Sequence, residues 1–571
     1  MSRKNKWKRR RARPLRKLGL LILFLFSAFI VYRIFVPNGA HTDPEWKGMD
    51  KPIFFKDKVE AYSAAETGSS LSLPLPVIQE KLDQGARYEE GTGSVILATA
   101  DKLVRVQVGQ SKGTLNNAAF SLSSAPIEQN GVVYVPAGLI EQIYGVQIEE
   151  DKASGAVRVF MPGESIQHAA VEADKKGKTT PLREKDSIHS AILADLAPQT
   201  PLRILSSSGD WYYAQTNSGY TGFIKRSLVE VKDKAAVPKT EAKVLPAVEA
   251  WSSKKINMTW EAVYEVPADP DIIGTLTGVN VISPTWFQLA DTKGNVKSKA
   301  DPDYVEQAHT LGKQVWGLYS NSFSAELTKQ AFAAYETRIR AINQLLNYAR
   351  KLDLDGINID FENVETEDGG NITQFMRELR PLARAQGMIV SMDVTPKSDS
   401  ELWSKFLDRK ALSGLVDYMV VMAYDEHWAA SPVSGSVASL PWTEDAVNKI
   451  LTEDAVPESK LILGVPLYTR VWTETITDGV TEVSSKAISM NKAQSILKQY
   501  SLTPAVSSDT GQNYVQYEED GALKRIWLED SESLLKRVEL VKSLHLAGIA
   551  SWSRSFASAD AWTVLKQVNA D

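Results

Sequence analysis

The 571-residue chain contains no cysteine, which excludes disulfides, zinc knuckles, thiol nucleophiles and cysteine-ligated iron–sulfur clusters. Histidine is scarce too. The six residues, at positions 41, 168, 189, 309, 427 and 545, never show the i, i+4 spacing that puts two imidazoles on one helix face. Neither a metal nor another cofactor is expected. An excess of positive charge is missing from most of the chain as well. Residues 1–17 contribute +10 to a net charge of −5, so the remainder carries −15. An acidic body lacks the basic face that phosphate binding needs, which argues against a nucleic acid partner. The rest of the composition is ordinary, 43% hydrophobic and 24% charged, and it excludes wholesale disorder, collagen and a polytopic membrane bundle. At roughly 150 residues per domain the length suits three or four folded units.

Residues 1–17 form a basic segment expected to stay in the cytoplasm. They lead into a nearly unbroken apolar stretch, and 18–36 is expected to be a transmembrane signal-anchor with Arg33 snorkelling to the outer interface. Positive charge before such a segment sends the remainder outside the cytoplasm. The alternative is a cleaved signal peptide and secretion, although no clear small-x-small cleavage site follows the run.

The region beyond 51 divides into three parts. Residues 51–161 hold an internal repeat: Leu71-Ser-Leu-Pro-Leu-Pro-Val-Ile-Gln-Glu is echoed by Val133-Tyr-Val-Pro-Ala-Gly-Leu-Ile-Glu-Gln, each followed by a turn and a strand. This predicts strand, short helix opened by proline, turn and strand, used twice, an α+β unit. It resembles the stalk-type domain named after the N-terminal domain of copper amine oxidases, although a stretch without histidine or cysteine has no copper ligand set. Residues 179–231 are β-rich, and Gly209-Asp-Trp-Tyr-Tyr-Ala with Gly222-Phe-Ile-Lys resembles the bacterial SH3-like domains of cell-wall enzymes. Trp211, Tyr212, Tyr213 and Tyr220 form a ligand groove there or fill a small barrel core. Residues 233–249 read as a linker.

Residues 250–571 alternate eight short apolar runs with helical patterns such as Tyr335, Ile339, Ile342, Leu346 and Ala349. Eight strands separated by helices over some 320 residues predict a C-terminal (β/α)8 TIM barrel. A stretch at 474–530, with a hairpin around Asp520-Gly521, is expected to be a small α+β insertion at the barrel mouth.

The fourth run, Asp355-Gly-Ile-Asn-Ile-Asp-Phe-Glu362, carries the chemistry. Alternate side chains of a strand share a face, so Ile357, Ile359 and Phe361 point toward the helices while Asn358, Asp360 and Glu362 point into the barrel. Burying carboxylates costs several kcal/mol unless they are paired or protonated, so stability alone gives little reason for the arrangement. The alternative is a polar ladder satisfied within the barrel floor.

The octet resembles the Asp-Gly-x-Asp-x-Asp-x-Glu signature of family 18 glycoside hydrolases, which include chitinases and peptidoglycan N-acetylglucosaminidases. Met422-Ala-Tyr-Asp425, Gly464-Val-Pro-Leu-Tyr468 and Ser551-Trp552 resemble the family's motifs on the sixth, seventh and eighth strands. The layout most resembles the spore and cell-wall branch. The resemblance implies substrate-assisted retaining hydrolysis of an N-acetylglucosamine glycan, peptidoglycan before chitin. It makes Glu362 the proton donor, Asp360 the partner of the acetamide N–H and Tyr424 a donor to the acetamide carbonyl. Asp425, Met422 and Tyr468 would line the sugar site, and Trp552 would be its apolar floor. Asn358 departs from the pattern, because an amide can hydrogen-bond Asp360 but cannot share its proton or charge. Lectin-like relatives lack the glutamate that this chain keeps. A non-catalytic wall- or chitin-binding protein is the alternative.

Overall fold

The computed structural model describes residues 12–67, 70–173, 177–239, 254–477 and 480–570. The chain forms two compact units, one of residues 1–86, 106–113 and 121–241, the other of residues 87–105, 114–120 and 242–571.

The larger unit holds a barrel of eight parallel strands: β1 (Ile256–Glu261), β2 (Val281–Pro284), β3 (Gln314–Ser320), β4 (Gly356–Asp360), β5 (Ile389–Val394), β6 (Tyr418–Met422), β7 (Leu461–Pro466) and β8 (Gly548–Trp552). Each pairs with the next, and β8 pairs with β1 to close the ring. The strands alternate as the period of two requires. Met258, Trp260, Trp316, Leu318, Val420 and Ile462 fill the interior, whereas Ile357, Ile359, Phe361, Val390, Met392 and Leu463 pack outward against the helices. Helix Tyr335–Lys351 buries Arg338, Ala341, Ile342, Leu345, Leu346 and Ala349, a stripe at spacings of three and four. Several strands stop short of the expected runs. The fourth ends at Asp360 and the sixth at Met422, because the backbone beyond turns out of the ladder into the mouth loops.

The insertion starts earlier than expected, at Tyr468. Strands Tyr468–Thr477, Val480–Ser489, Ala505–Val506, Asn513–Glu519 and Ala522–Trp527 form one sheet, joined by helix Met490–Gln499. The Asn513–Trp527 hairpin turns at Asp520 and Gly521, both with φ > 0, as a two-residue primed turn demands.

Part of the 51–161 region belongs to this unit rather than standing apart as a stalk. Strand Ser94–Ala98 contributes Ile96 and Ala98 to the core shared with the barrel helices. Nearby, Arg338 is fully buried and donates to Glu89 at 2.6 Å and to both oxygens of Glu378 at 2.7 and 3.0 Å.

In the smaller unit the two copies of the repeat fold alike and pair with each other. Strand Ser70–Pro74 lies antiparallel to Val132–Pro136, and each runs directly into a short helix, Leu75–Lys81 or Ala137–Tyr144. The β-rich part is larger than 179–231. A seven-stranded sheet begins with Ser165–Val171 and ends with Val229–Ala236, which pair with each other. The linker expected at 233–249 therefore starts later. Val237 is buried with Phe160 and Ile166, which holds its backbone in place, and 240–249 lies outside the described residues.

The expected membrane span at 18–36 needs correction as well. A helix covers Ala12–Phe35, with exposed apolar side chains from Leu18 to Val31. Among the described residues, however, no helix is long and apolar enough to cross a membrane. Residues 1–11 lie outside the described residues.

Candidate active site

Side chains from several strand ends meet at the C-terminal mouth of the barrel, where such folds keep their reactive groups. Asn358 and Asp360 face the interior from β4 and are buried, and Glu362 follows two residues on, half-buried. Asn321, just past β3, holds the Glu362 backbone from both sides. Its Oδ1 accepts from the Glu362 N–H at 3.1 Å and its Nδ2 donates to the Glu362 carbonyl at 2.7 Å. Asn321 itself is buried and also donates to Thr328 at 2.8 Å.

Below Glu362 lies a polar line that the motif did not announce. Ser391 on β5 donates to Asn358 Oδ1 at 2.6 Å, and Asn358 Nδ2 donates to Asp393 Oδ2 at 2.6 Å. Asp393 is 2% exposed. One oxygen each of Asp360 and Asp393 is buried without a hydrogen-bond partner.

These surroundings raise the carboxyl pKa values. Burial pushes Asp360 well above the usual carboxylate range, and the charge of Asp393 adds to it. Glu362 is pushed up by its recess first, then by Asp360 and Asp425. Asp393 rises through burial, against the pull of the Asn358 hydrogen bond. The Tyr424 phenol is held up by burial and by the charges of Asp393 and Glu362, so it stays a hydrogen-bond donor.

The expected ligand-facing residues gather around this group. Tyr424 meets Trp260 and Tyr468 edge-on, each with ring centroids 6.5 Å apart. Asp425 takes a left-handed backbone at φ 61°, which aspartate tolerates better than most residues. Its Oδ1 accepts from the Tyr468 hydroxyl at 2.7 Å and from Arg470 at 3.3 Å. Trp552 at the end of β8 is half-buried and leans edge-on against Trp260 at 5.9 Å. Met422 ends β6 and is buried. Trp472, four residues past Tyr468, lies outside this group. It is fully buried, and its indole N–H donates to the Gly435 carbonyl at 2.7 Å.

Sequence reasoning missed Asn321, Asp393, Ser391, Trp260 and Arg470. The inward alternation of β5 was a usable signal for Asp393, whereas nothing local marks Asn321 or Arg470. Among the described residues, no group of three or more His, Asp or Glu side chains is placed to hold a metal ion.

Two family models match stretches of the chain. Residues 291–557 match the model of glycosyl hydrolases family 18, and residues 58–159 match that of the copper amine oxidase N-terminal domain. The protein described as "Putative sporulation-specific glycosylase YdhD" of Bacillus subtilis (strain 168) is 30% identical over 51% of this chain and 63% of its own length. The cortical fragment-lytic enzyme of the same organism is 27% identical over 45% of this chain and 60% of its own length. The chain thus spans less than two thirds of either relative. Two solved structures share the fold: a chitinase from Chromobacterium violaceum ATCC 12472 and the spore cortex-lytic enzyme SleL of Bacillus megaterium QM B1551. The chitinase has a TM-score of 0.50 at 22% identity, covering 56% of this chain and all of that one. SleL has a TM-score of 0.50 at 19% identity, covering 59% of this chain and 76% of its own. Residues 291–557 are therefore similar to family 18 glycosyl hydrolases, and residues 58–159 to the copper amine oxidase N-terminal domain.

Proposed function

We propose that the protein is a glycosidase that cleaves β-linked N-acetylglucosamine-containing glycan by substrate-assisted retaining hydrolysis. One juxtaposition carries the reading: Glu362, Asp360 and Tyr424 converge in one recess, and the environment keeps Glu362 protonated above the usual carboxylate range. A general acid works best with a pKa near the working pH. Glu362 gives its proton to the glycosidic oxygen and later takes one from water. The sugar's own acetamide oxygen attacks the anomeric carbon, so no second carboxylate is needed as nucleophile. Asp360 holds the acetamide N–H and balances the positive charge that develops, while Tyr424 donates to the acetamide oxygen and aims it. Trp552 offers the sugar ring an apolar face, and Asp425, steadied by Tyr468 and Arg470, accepts from a sugar hydroxyl.

Peptidoglycan is the favoured substrate over chitin. Two relatives are named for sporulation and for cortical fragments. Mass spectrometry of products from purified peptidoglycan and from chitin oligomers tests both points. Glu362→Gln should abolish release of reducing ends while sparing glycan binding, and unchanged release refutes the assignment.

The seven-stranded sheet is proposed to be an SH3-like wall-binding module. Supporting this, Lys225 lies over Trp211 at 5.8 Å and Arg226 over Tyr212 at 4.8 Å, pairing aromatic faces with cations at its surface. A wall pull-down with Trp211→Ala checks it, and undiminished retention rejects it. The protein is further proposed to work outside the cytoplasm, held at the membrane surface by its N-terminal segment. The basic run followed by exposed apolar residues supports this, and protease accessibility of whole cells tests it.

A further inference from the structure

Family 18 motifs carry a middle aspartate where this chain has Asn358, and an amide cannot take up the proton of Asp360. A carboxylate nevertheless lies beside Asp360, brought by the neighbouring strand. Asn358 pairs with Ser391 and Ile359 with Met392 across β4 and β5. One step further along this parallel register sets Asp360 beside Asp393. Adjacent strands lie about 4.8 Å apart, and both side chains are inward and buried.

The hydrogen bonds assign parts to this pair. Ser391 donates to Asn358 Oδ1, so the amide must turn its NH2 toward Asp393, where it donates to Oδ2. That bond favours negative charge on Asp393 and occupies one of its oxygens. The remaining buried oxygen of Asp393 and one of Asp360 have no partner. Two buried carboxyl groups side by side cannot both ionise at modest cost, so they hold one proton between them.

We infer that Asp393 is the proton-sharing partner of Asp360, replacing from β5 what the motif lacks on β4, with Asn358 and Ser391 as its fixed support. The inference deepens the hydrolase reading and rests on it. In the resting state the proton sits on Asp360 and the charge on Asp393. When the acetamide N–H arrives, the proton passes from Asp360 to the free oxygen of Asp393. The pair keeps a net charge of −1, and the negative charge now faces the cationic intermediate. Asp393 touches no substrate in this scheme and is a positioning residue. The titratable groups facing it are Asp360 and Glu362 from the β4 end and Tyr424 from the β6 end. Arg470 is spent on Asp425 instead.

The test is the pH profile of glycan cleavage by the full chain. Asp393→Asn should lower kcat at least about tenfold with little change in KM, and should narrow the profile from the acid side. The acid limb rises because Asp360 alone must ionise. The alkaline limb stays in place, because Asp360, once ionised, carries the single negative charge that the pair carried and still raises Glu362. The double variant Asn358→Asp with Asp393→Asn returns a carboxylate to β4 and should recover rate and width. A merely structural Asp393 would lose rate with both limbs unmoved, and that outcome, or a swap no better than the single change, overturns the inference. An infrared measurement separates it from the hydrolase reading. In Glu362→Gln at neutral pH, one protonated buried carboxyl should be seen and should vanish on adding Asp360→Asn. Its absence defeats the shared proton whether or not the protein cuts glycan.

Discussion

The barrel unit buries carboxylates in two regions, and it treats them in opposite ways. On the outer wall Glu378 and Glu529 are each answered by a guanidinium. Arg338 grips both oxygens of Glu378, and Arg537 grips both of Glu529 at 2.6 and 2.9 Å, with all four side chains essentially inaccessible. Burial pushes Glu378 and Glu529 up, and the paired arginine pulls each back. At the mouth, Asp360, Asp393 and Glu362 have no such partner among the described residues, and their neighbours are other carboxylates. The difference separates structure from chemistry: a paired buried charge fastens elements together, whereas an unpaired one holds a proton ready to move.

The sharpest way to break this contrast is Glu362→Gln, which removes the mobile proton. It should cost about 10²–10⁴-fold in turnover of the proposed glycan substrate without lowering the melting temperature, as calorimetry would show. Arg338→Ala does the reverse. It strands Glu378 and Glu89 and should cost about 3–5 kcal/mol of stability, read by denaturant unfolding, with activity per folded molecule retained. Equal losses of both kinds in both variants would erase the distinction.

A smaller effect sharpens it through pH. The mouth carboxyls have folded-state pKa values above their unfolded ones. Their favourable contribution is complete below the ordinary carboxylate range, near pH ~4, and is lost as pH rises through the folded values. Asp393→Asn should therefore raise the melting temperature at neutral pH and leave it unchanged in acid. A gain that persists in acid would mean repacking rather than relief of charge. The mildest change is Asn321→Ala, which frees the Glu362 N–H and carbonyl at a cost of about 1–3 kcal/mol. Hydrogen exchange at the Glu362 amide reads it directly and should speed up.

Much of the mouth was legible from local pattern. The period of two along 355–362 placed Asn358, Asp360 and Glu362 inward and Ile357, Ile359 and Phe361 outward, and the packing agrees. The repeat at 71 and 133 was legible for the same reason, since each copy is one short run of contiguous chain. What escaped depends on pairing between distant segments. Asp393 is an unremarkable aspartate in Ser391-Met-Asp-Val394 until register sets it beside Asp360, 33 residues earlier. Asn321 reads as a loop polar residue until the β3–β4 pairing carries it to the Glu362 backbone. The grouping of residues 87–105 with the barrel unit was equally hidden, because a repeat predicts that its copies pair and says nothing of which other core they join.

The chain by itself determined the eight alternating runs, the side of β4 that carries polar groups and the absence of thiol chemistry, because periodicity and composition are local properties. Tertiary structure alone decided which carboxylates share a recess and which find an arginine. Burial and the field of neighbouring charges set a pKa, and both come from residues that the chain keeps far apart until the barrel closes.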